Sequence, residues 1–298
     1  MAVRKGRGGK EMPELELYEN LFFSDEELPA YMSTGIRGRP GSVIYNIHWH
    51  EQLEMHYIVD GAADMVLGQQ TLAVQEGDLV VVNSNTLHSG KCTRPPYKSY
   101  VLILDVADFS AELAKKNDIF VSLIRNDPVI RDYFHRMFRE IEEKGIGYKS
   151  LCRGLLTELL VHLSRNYVDE SLPERESARR KKNLERLNGV LCFIEDHHKQ
   201  PITVNQLAEM ACLSEDRFGH LFREVVGQPP LKYINQIRLR KAMNLLKTGA
   251  YTVTEVADAV GFQDYNHFGR LFRKAFGDTP NRIRLEAAER MAENSGNV

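Results

Sequence analysis

Three histidines and one glutamate in the first third of the chain have types and a spacing that suit a metal ion. His48 and His50 form a His-x-His pair, Glu54 follows after three further residues, and His88 comes later. Alternate residues of a strand point to one face, so the paired histidines would lie together, with Glu54 beginning the next strand. Three imidazoles and a carboxylate are ligands that divalent transition metals accept. A polar pocket wall and hydrogen-bonded structural histidines are the alternatives.

The same groups can hold a small polar molecule, because imidazoles and carboxylates orient hydroxyl groups. His56 lies two residues beyond Glu54 and therefore on the same face of the strand. We predict an effector site formed by His48, His50, Glu54, His56 and His88. We expect no cofactor, and a divalent metal at His48, His50, Glu54 and His88 is the less favoured alternative.

Short runs of β-branched and aromatic residues surround this cluster and must position it. They lie between Gly41 and Val106, and turn residues separate them. Strands this short and evenly spaced predict an antiparallel barrel or sandwich. The strands expected are 42–47, 53–59, 64–67, 70–74, 78–82 and 97–105.

Beyond residue 107 the apolar residues follow a helical period. Six leucines form one stripe along a helix: Leu151, Leu155, Leu156, Leu159, Leu160 and Leu163. An amphipathic helix needs an apolar partner, so we predict that this leucine stripe forms the interface of a homodimer. The alternative is that the stripe covers the barrel of the same chain.

A charged stretch follows this helix. Residues 169–183 contain Pro173 and mixed acidic and basic side chains without an apolar period, which is typical of a solvated linker. We therefore predict a barrel with a helical dimerisation segment at 1–168, a linker at 169–183 and a helical domain at 184–298.

A motif in the last third of the chain occurs twice. The first copy recurs fifty residues later, and the matched residues are Phe218-Gly219, Leu221-Phe222-Arg223, Gly227 and Pro230 with Phe268-Gly269, Leu271-Phe272-Arg273, Gly277 and Pro280. In each copy a short helix, a turn at Cys212 or Gly261 and a second, amphipathic helix predict a helix-turn-helix. The alternative is a helical repeat that binds protein.

The second helix of a helix-turn-helix enters the DNA major groove, where Arg reads guanine and Asn reads adenine. Helical geometry places a polar face opposite the apolar one. Its residues are Asp216, Gly219, His220 and Arg223 in the first copy and Asn266, Gly269, Arg270 and Arg273 in the second. A helix over 231–246, about 24 Å long, would hold the copies about one DNA turn apart.

The segment from about Leu184 to Arg284 resembles the DNA-binding domain of the AraC/XylS family of transcription regulators. The resemblance rests on Gly261-Phe262, Phe268-Gly269-Arg270-Leu271-Phe272-Arg273, Gly277 and Thr279-Pro280. It implies DNA contacts from Asp216, Arg217, Gly219, His220 and Arg223 and from Tyr265, Asn266, Gly269, Arg270 and Arg273. Asp216 and Gly219 depart from this expectation, because they are poor readers of phosphate or purines.

The histidine pattern resembles the cupin barrel, whose two motifs supply three histidines and a glutamate. Asn83 and Asn85 stand where cupins have Pro and Gly, and Cys92 replaces a later Asn. AraC/XylS regulators with cupin-type N-terminal domains use such a pocket for a small effector. The resemblance therefore implies a barrel and a polar effector such as a carbohydrate.

Composition and charge exclude other classes of protein. The 298 residues are 43% hydrophobic and 27% charged, which rules out wholly disordered and collagenous chains. The net charge of -2 gives no overall positive field, so DNA binding must come from local patches. The four cysteines have no paired spacing, which is typical of reduced thiols in a cytoplasm. Apolar runs are short and the basic start leads into acidic residues, so neither a secreted nor a membrane-inserted protein is expected.

These features predict an α+β multidomain protein, with an N-terminal antiparallel β-barrel of cupin type, a helical segment and an all-α tandem helix-turn-helix domain. We expect a cytoplasmic, sequence-specific transcription activator that binds double-stranded DNA as a homodimer, contacts RNA polymerase and responds to a small polar effector. It is not expected to be an enzyme. The alternative is a cupin metalloenzyme, such as a dioxygenase or isomerase, that carries a nucleic-acid-binding tail.

Overall fold

The computed structural model describes residues 17–295, with side chains up to residue 287. The chain forms two compact units: the first runs up to Arg186 and includes Val225–Gly227, and the second consists of Leu187–Glu224 and the chain from Gln228 onward. The outer ends of the predicted domains, 1–16 and 296–298, lie outside the described residues. The predicted boundaries at 168 and 184 stay a prediction.

Nine strands lie in the described part of the first unit. They are β1 (Ala30–Arg37), β2 (Val43–His48), β3 (Leu53–Leu67), β4 (Gln70–Gln75), β5 (Asp78–Val82), β6 (His88–Leu104), β7 (Asp118–Phe120), β8 (Leu123–Arg125) and β9 (Val168–Ser171). The strands predicted at 53–59 and 64–67 are one continuous strand, and the last predicted strand begins nine residues earlier, at His88.

The two longest strands, β3 and β6, form an antiparallel ribbon that organises the sheet. One half of the ribbon belongs to a layer in the order β1-β6-β3-β5-β8, whereas β2 and β4 flank the other half. The pairing shifts register around Gly61, where a Cβ atom would lie 2.2 Å from the Pro96 carbonyl oxygen. Glycine therefore permits the close approach at which the ribbon changes register. The predicted antiparallel, strand-rich N-terminal fold is confirmed.

Alternation along the first half of β3 gives the strand two different buried faces. Leu53, Met55 and Tyr57 point into an apolar cluster shared with two helices, α2 (Pro128–Glu143) and α3 (Tyr148–Asn166). Ile58 belongs to a second cluster on the other face of the strand. By the same alternation, Glu54 and His56 also lie on that face, away from the helices.

The leucine stripe packs inside its own protomer. All of its residues from Leu155 to Leu163 are fully buried in the cluster between α3, α2 and the sheet, and only Leu151 is 44% exposed. The expectation that the stripe pairs with a second copy is therefore wrong, because its apolar side chains are already covered. The alternative, in which the stripe covers the barrel, is what the structure shows.

The predicted linker is ordered secondary structure. Its first residues lie in β9, and residues from Glu174 onward form the first turns of a 24-residue helix, α4 (Glu174–His197). The charged turns carry ion pairs such as Arg179 to Glu176, 2.6 Å apart, and the helix gains its apolar face only from Leu184 onward. The lack of an apolar period at 169–183 therefore reflected exposure and not irregular structure.

The second unit is all helical. Beyond α4 it contains α5 (Val204–Met210), α6 (Glu215–Val226), α7 (Pro230–Leu246), α8 (Val253–Ala259), α9 (Tyr265–Phe276) and α10 (Pro280–Ser295). A four-residue short helix, α1 (Ala111–Ala114), belongs to the first unit. The pairs α5–α6 and α8–α9 are the two predicted helix-turn-helix motifs, and α7 is the predicted helix between them. The α+β two-domain fold class is thus confirmed.

Local signals set the ends of these helices. Thr252 and Glu255 form a full capping box at the start of α8, whereas Thr203 at the start of α5 accepts only the bond from the Gln206 amide. Both turns contain a left-handed residue at the predicted position, Cys212 with φ 55° and Gly261 with φ 90°. Within residues 17–295, no helix is long and apolar enough to cross a lipid bilayer.

Candidate functional site

The two recognition-helix candidates, α6 and α9, each bury one face and expose the other. Phe218 and Phe222 are fully buried under α6, and Phe268 and Phe272 are fully buried under α9. All ten predicted DNA-binding residues lie on the opposite faces: Asp216, Arg217, His220, Arg223, Tyr265, Asn266, Arg270 and Arg273 are exposed, and Gly219 and Gly269 are half-buried. The structure therefore presents every predicted side chain of this surface to solvent.

The exposed face of α6 carries mixed charge. Its first turn is acidic, with Glu215 and Asp216, and the Asp216 carboxylate lies 3.6 Å from His220 Nε2 one turn later. Arg217 and Arg223 supply the positive charge. A face of this kind repels phosphate at its start, and a carboxylate there is suited to accept a bond from the cytosine amino group.

The exposed face of α9 is basic. Arg270, Arg273 and Lys274 project from it without a carboxylate of the same helix between them. Tyr265 donates a hydrogen bond of 2.9 Å to Asp258 in α8, which holds its ring at the start of the helix. Asn266 follows it on the exposed face. Arginine and asparagine are the residues that read guanine and adenine in the major groove, and the basic residues match phosphate.

Each recognition-helix candidate has a glycine in the middle of its exposed face. A Cβ atom added to Gly219 or Gly269 would meet no atom within 4 Å. A glycine inside a helix destabilises it by about 1 kcal/mol relative to alanine. No packing within the described residues requires these glycines, so the space that they leave is available to a partner that comes close to the helix backbone.

The N-terminal histidines converge on Glu54. Its Oε2 atom lies 2.8 Å from His50 Nε2 and 2.9 Å from His88 Nε2, and its Oε1 atom lies 2.7 Å from His56 Nε2. His48, with Nε2 3.3 Å from Glu19, completes the group. Four of these five side chains are almost fully buried, and His48 is 16% exposed. The structure therefore brings together all five residues predicted for the effector site.

Backbone carbonyls fix the orientation of three of the rings. The Nδ1 atoms of His48, His50 and His88 lie 2.8, 3.2 and 2.8 Å from the carbonyl oxygens of Asn46, Gln52 and Thr86. A carbonyl oxygen can only accept a hydrogen bond, so each Nδ1 atom carries a proton. In a neutral ring the Nε2 atom then has no proton and presents a lone pair. Two of these lone pairs face a carboxylate, which is also an acceptor. The arrangement is stable only if a proton or a cation lies between them.

Electrostatics support an ionised Glu54 in the buried cluster. Burial disfavours the Glu54 carboxylate, but the neighbouring imidazoles of His56, His88 and His50 hold its pKa well below the usual range. Burial lowers the pKa of His48 to about 4, so this ring is neutral at pH 7. The surrounding imidazoles thus stabilise the negative charge of Glu54 inside the barrel.

The donor set fits a divalent transition metal. One ligand atom from each of His48, His50, Glu54 and His88 can be chosen so that all lie within 4.8 Å of one another. Nδ1–H bonds to backbone oxygens are the usual second contact of histidines that bind metal through Nε2. The Nε2 lone pairs and the Glu54 carboxylate would together hold a divalent cation.

The sequence patterns missed two residues of this cluster. Tyr45 stacks on His56 with ring centroids 5.0 Å apart, and its hydroxyl is buried without a partner in the described residues. Burial raises the pKa of Tyr45 well above its usual range. An irregularity in β2 between Tyr45 and His48 breaks the alternation that would have revealed it. Glu19 comes from outside the predicted strands, and His50 lies just beyond the end of β2 and not within a strand.

Two family descriptions match this chain, one in each unit. The "AraC-like ligand binding domain" matches residues 31–160, and the "Helix-turn-helix domain" matches residues 207–286. Together the matches take in more than two thirds of the chain. The chain belongs to the AraC/XylS family. The family resemblance predicted from the repeated motif and the histidine pattern is thereby confirmed.

Relatives of this AraC/XylS protein include transcriptional activators. The HTH-type transcriptional activator RhaS of Escherichia coli O1:K1 / APEC is 30% identical over 155 residues, which are 52% of this chain and 53% of RhaS. RhaS of Escherichia coli O139:H28 (strain E24377A / ETEC) is 34% identical over the same length. The chain spans about half the length of the curated relatives that it matches.

Solved structures similar to this family member include a transcriptional regulator with an AraC-type DNA-binding domain from Chromobacterium violaceum. Its sequence is 26% identical, and the alignment covers 35% of this chain and 93% of the regulator's chain, with a TM-score of 0.33. ToxT from Vibrio cholerae strain SCE256, with an unsaturated fatty acid bound, is 11% identical. The alignment covers 86% of this chain and 94% of the ToxT chain, with a TM-score of 0.38.

Proposed function

We propose that this chain is a sequence-specific, DNA-binding transcription activator whose N-terminal unit senses a small effector. The observation that carries the proposal is the repeated helix-turn-helix, in which both second helices expose a polar face with a glycine that no internal packing requires. The name of the E. coli relatives, transcriptional activator, supports activation over repression.

The two recognition helices contribute differently to DNA binding. In α9, Arg270 reads a guanine, Asn266 an adenine, and Arg273 neutralises phosphate. In α6, the acidic first turn limits contact with phosphate, so this helix contributes to sequence preference more than to affinity. α7 has 17 residues, a length of about 26 Å, and joins the two motifs within one unit. Such a rod suits two contacts about one DNA turn apart.

The remaining partners belong to this proposal. Binding to an extended DNA site is stronger when two copies act together, so we propose a homodimer that uses a surface other than the leucine stripe. Because an activator acts through RNA polymerase, we propose the polymerase as a partner. Reduced cysteines suit the cytoplasm, which we propose as the location of the protein. The effector is a small polar molecule, for which we propose a carbohydrate. No catalytic step is part of the proposal.

We also propose that His48, His50, Glu54 and His88 hold a divalent transition metal that stabilises the barrel. The fixed Nε2 lone pairs of His48, His50 and His88, beside the Glu54 carboxylate, favour this over a metal-free site.

The experiment compares two arginines of α9. DNA sites are selected from a random pool with the full chain, and the affinities for a selected site and a shuffled site are measured over a range of salt concentrations. Arg270→Ala is expected to weaken the selected site by about 1 to 3 kcal/mol and to leave the shuffled site nearly unchanged. Arg273→Ala should weaken both equally and reduce the salt slope by about 1.

Two results count against the proposed function. One is an equal loss of selected and shuffled binding on Arg270→Ala, which removes its role as a base reader. The other is a wild-type protein that binds both DNAs alike or binds neither. The exposed Arg136 of the first unit, changed to alanine, is the control for the loss of one positive charge.

A further inference from the structure

One face of the helix α4 carries four basic residues in a line. They follow one another at spacings of four, three and four residues, and they are Arg175, Arg179, Lys182 and Arg186. Residues three and four positions apart are neighbours on the surface of a helix, so the four side chains project from one face. All four residues are exposed. We call this face the basic stripe of α4.

No acidic residue interrupts the basic stripe. With a rotation of about 100° per residue, its four members lie within about 60° of one another around the helix axis. The acidic residues of the same segment, Glu174, Glu176 and Glu185, lie about 90° or more from the centre of the stripe by the same geometry. The stripe is therefore a continuous line of positive charge.

Most of this charge has no partner within the protein. Lys181, on another face of α4, lies 2.7 Å from Glu51. Arg179 lies 2.6 Å from Glu176, but its side chain is 63% exposed, and a pair so exposed contributes little and can be exchanged. The other three members of the stripe form no ion pair with a described residue: Arg175, Lys182 and Arg186. Their charge is therefore available to an anion from outside the chain.

The length of the stripe suits an extended polyanion. Its eleven residue steps along a helix correspond to about 16 Å. Over that length a DNA duplex carries about five phosphates on each strand. Three of the four side chains are arginines, whose planar guanidinium can donate two parallel hydrogen bonds to one phosphate. A single small anion would engage only one or two of these side chains and leave the rest without a partner.

The same helix continues into the unit that contains both helix-turn-helix motifs. The apolar side chains of its second half are fully buried: Leu187, Leu191 and Ile194. The buried Glu195 forms an ion pair with Arg240 of α7 and lies 3.6 Å from Lys241. Arg186, the last member of the stripe, directly precedes the first residue of this unit. The stripe therefore ends where the helix-turn-helix unit begins along the chain.

The first helix-turn-helix motif lacks the phosphate contacts that the second one has. α6 begins with Glu215 and Asp216, whereas α9 exposes three cations, Arg270, Arg273 and Lys274. The net charge of the chain is -2, so its overall field does not attract DNA either. An acidic protein surface could also pair with the stripe, but unpaired arginines that lead directly into two helix-turn-helix motifs favour DNA.

We propose that the basic stripe of α4 is a third DNA-binding surface, which contacts the phosphate backbone and reads no bases. It adds affinity that is independent of sequence, and it supplies the phosphate contacts that the acidic start of α6 does not. The proposal rests on the proposed function, because it adds a contact to the same DNA complex.

The test measures the affinity of the full chain for a selected and a shuffled DNA site over a range of salt concentrations. A triple variant combines Arg175→Gln, Lys182→Gln and Arg186→Gln, since glutamine favours a helix and keeps much of the side-chain length. The control variant removes three charges from exposed positions elsewhere in the first unit, by Lys115→Gln, Lys116→Gln and Arg139→Gln. Gly189→Lys adds a cation three residues beyond Arg186, at an exposed position where a Cβ atom meets no other atom. Circular dichroism shows whether each variant is folded.

The triple variant is expected to bind both DNAs about tenfold more weakly than wild type, or weaker still, at about 0.1 M salt. The magnitude of its salt slope should fall by about 3, or about 1 for each phosphate contact removed. The control variant should bind as wild type. Gly189→Lys should bind both DNAs more tightly and increase the magnitude of the slope by about 1.

Three results overturn the proposal. A triple variant that binds DNA as the control variant does shows that the stripe does not contact DNA, and indicates an acidic protein surface instead. A loss confined to the selected site shows that the stripe does not act on the phosphate backbone alone. If the triple variant does not fold, unchanged DNA binding by Gly189→Lys decides against the proposal.

The two DNA sites separate this proposal from the proposed function. If wild type prefers the selected site and the triple variant binds both sites as wild type does, the stripe proposal fails and the proposed function stands. If wild type binds both sites alike and the triple variant weakens both, sequence-specific recognition fails and the stripe remains a phosphate-binding surface. A wild-type chain that binds neither DNA contradicts both proposals.

Discussion

His88 Nε2 lies 2.9 Å from Glu54 Oε2, although 34 positions separate the two residues. Glu54 lies in the half of the β3–β6 ribbon that pairs with β5, and His88 lies in the half that pairs with β2. Their contact therefore joins the two parts of the sheet from inside. Because the His88 ring presents a lone pair to the carboxylate when it is neutral, the stability of this connection depends on a bound cation or an added proton.

The first prediction concerns that cation. Purified protein should contain close to one equivalent of a divalent transition metal by elemental analysis, and a chelator should lower its melting temperature. Glu54→Gln should lower both the metal content and the effect of the chelator. His135→Ala, which changes an exposed histidine outside the cluster, serves as the control. Protein that is free of metal and melts at the same temperature with and without added zinc, nickel or manganese contradicts the metal proposal.

The second prediction concerns acid stability. Burial opposes ionisation of Asp127, but hydrogen bonds from Tyr167, His162 and the amides of Val129 and Ile130 lower its pKa to about 2. A folded-state pKa below the unfolded value of about 3.8 gives stability that is present above pH 4 and is lost as the pH falls towards 2. Asp127→Asn should therefore lower the free energy of unfolding by about 2 kcal/mol at pH 7 and by less as the pH approaches 3.

Urea denaturation at several pH values measures this difference. Asp132→Asn, at an exposed carboxylate 3.3 Å from Arg136, should change the free energy of unfolding little at any pH. A constant difference between wild type and Asp127→Asn from pH 7 to pH 3 would show that the Asp127 charge does not stabilise the folded state.

The third prediction concerns the leucine stripe. Leu156→Glu combined with Leu160→Glu should unfold the first unit, because both leucines are fully buried in the core of the protomer. Leu151→Glu, at the exposed end of the stripe, should remain folded. Circular dichroism and size-exclusion chromatography distinguish the outcomes. If the double variant instead stays folded and is monomeric, the stripe is a dimer interface and not part of the core.

The fourth prediction concerns the glycines of the recognition helices. Gly269→Ala and Gly219→Ala should each raise the free energy of unfolding by up to about 1 kcal/mol, because alanine favours a helix and no atom occupies the added space. The same changes should weaken binding to the selected DNA site if the DNA backbone or a base approaches the helix there. Variants that gain stability and bind DNA as wild type would show that the glycines have no role at the interface.

The helix-turn-helix pairs were predictable because their signals are local. The capping residues, the apolar period and the turn residues all lie within about twenty-five positions of one another, and the structure places both motifs where these signals indicate. The second copy has one residue more than the first between its two helices, which end and begin at Ala259 and Tyr265 against Met210 and Glu215.

Other features depended on pairing between distant segments. β1 was missed because its sequence, Ala30–Arg37, lacks a clear alternation and is stabilised by eight residue pairs with the end of β6. The start of α4 lies in the segment predicted to be a solvated linker, because its charged turns have no buried face of their own. Glu54 and His56 were correctly placed on one face, whereas Tyr45 was missed because the irregularity in β2 changes its direction.

The most direct test of the central claim is selection of binding sites from a random DNA pool by the full chain, followed by sequencing. Two recognition helices in one unit predict two short blocks of sequence preference whose centres are about 10 base pairs apart. Arg270→Ala should relax the preference in one block, and Asp216→Ala should relax it in the other. An absence of enrichment over random DNA, or enrichment that both variants leave unchanged, contradicts the claim that α6 and α9 read DNA.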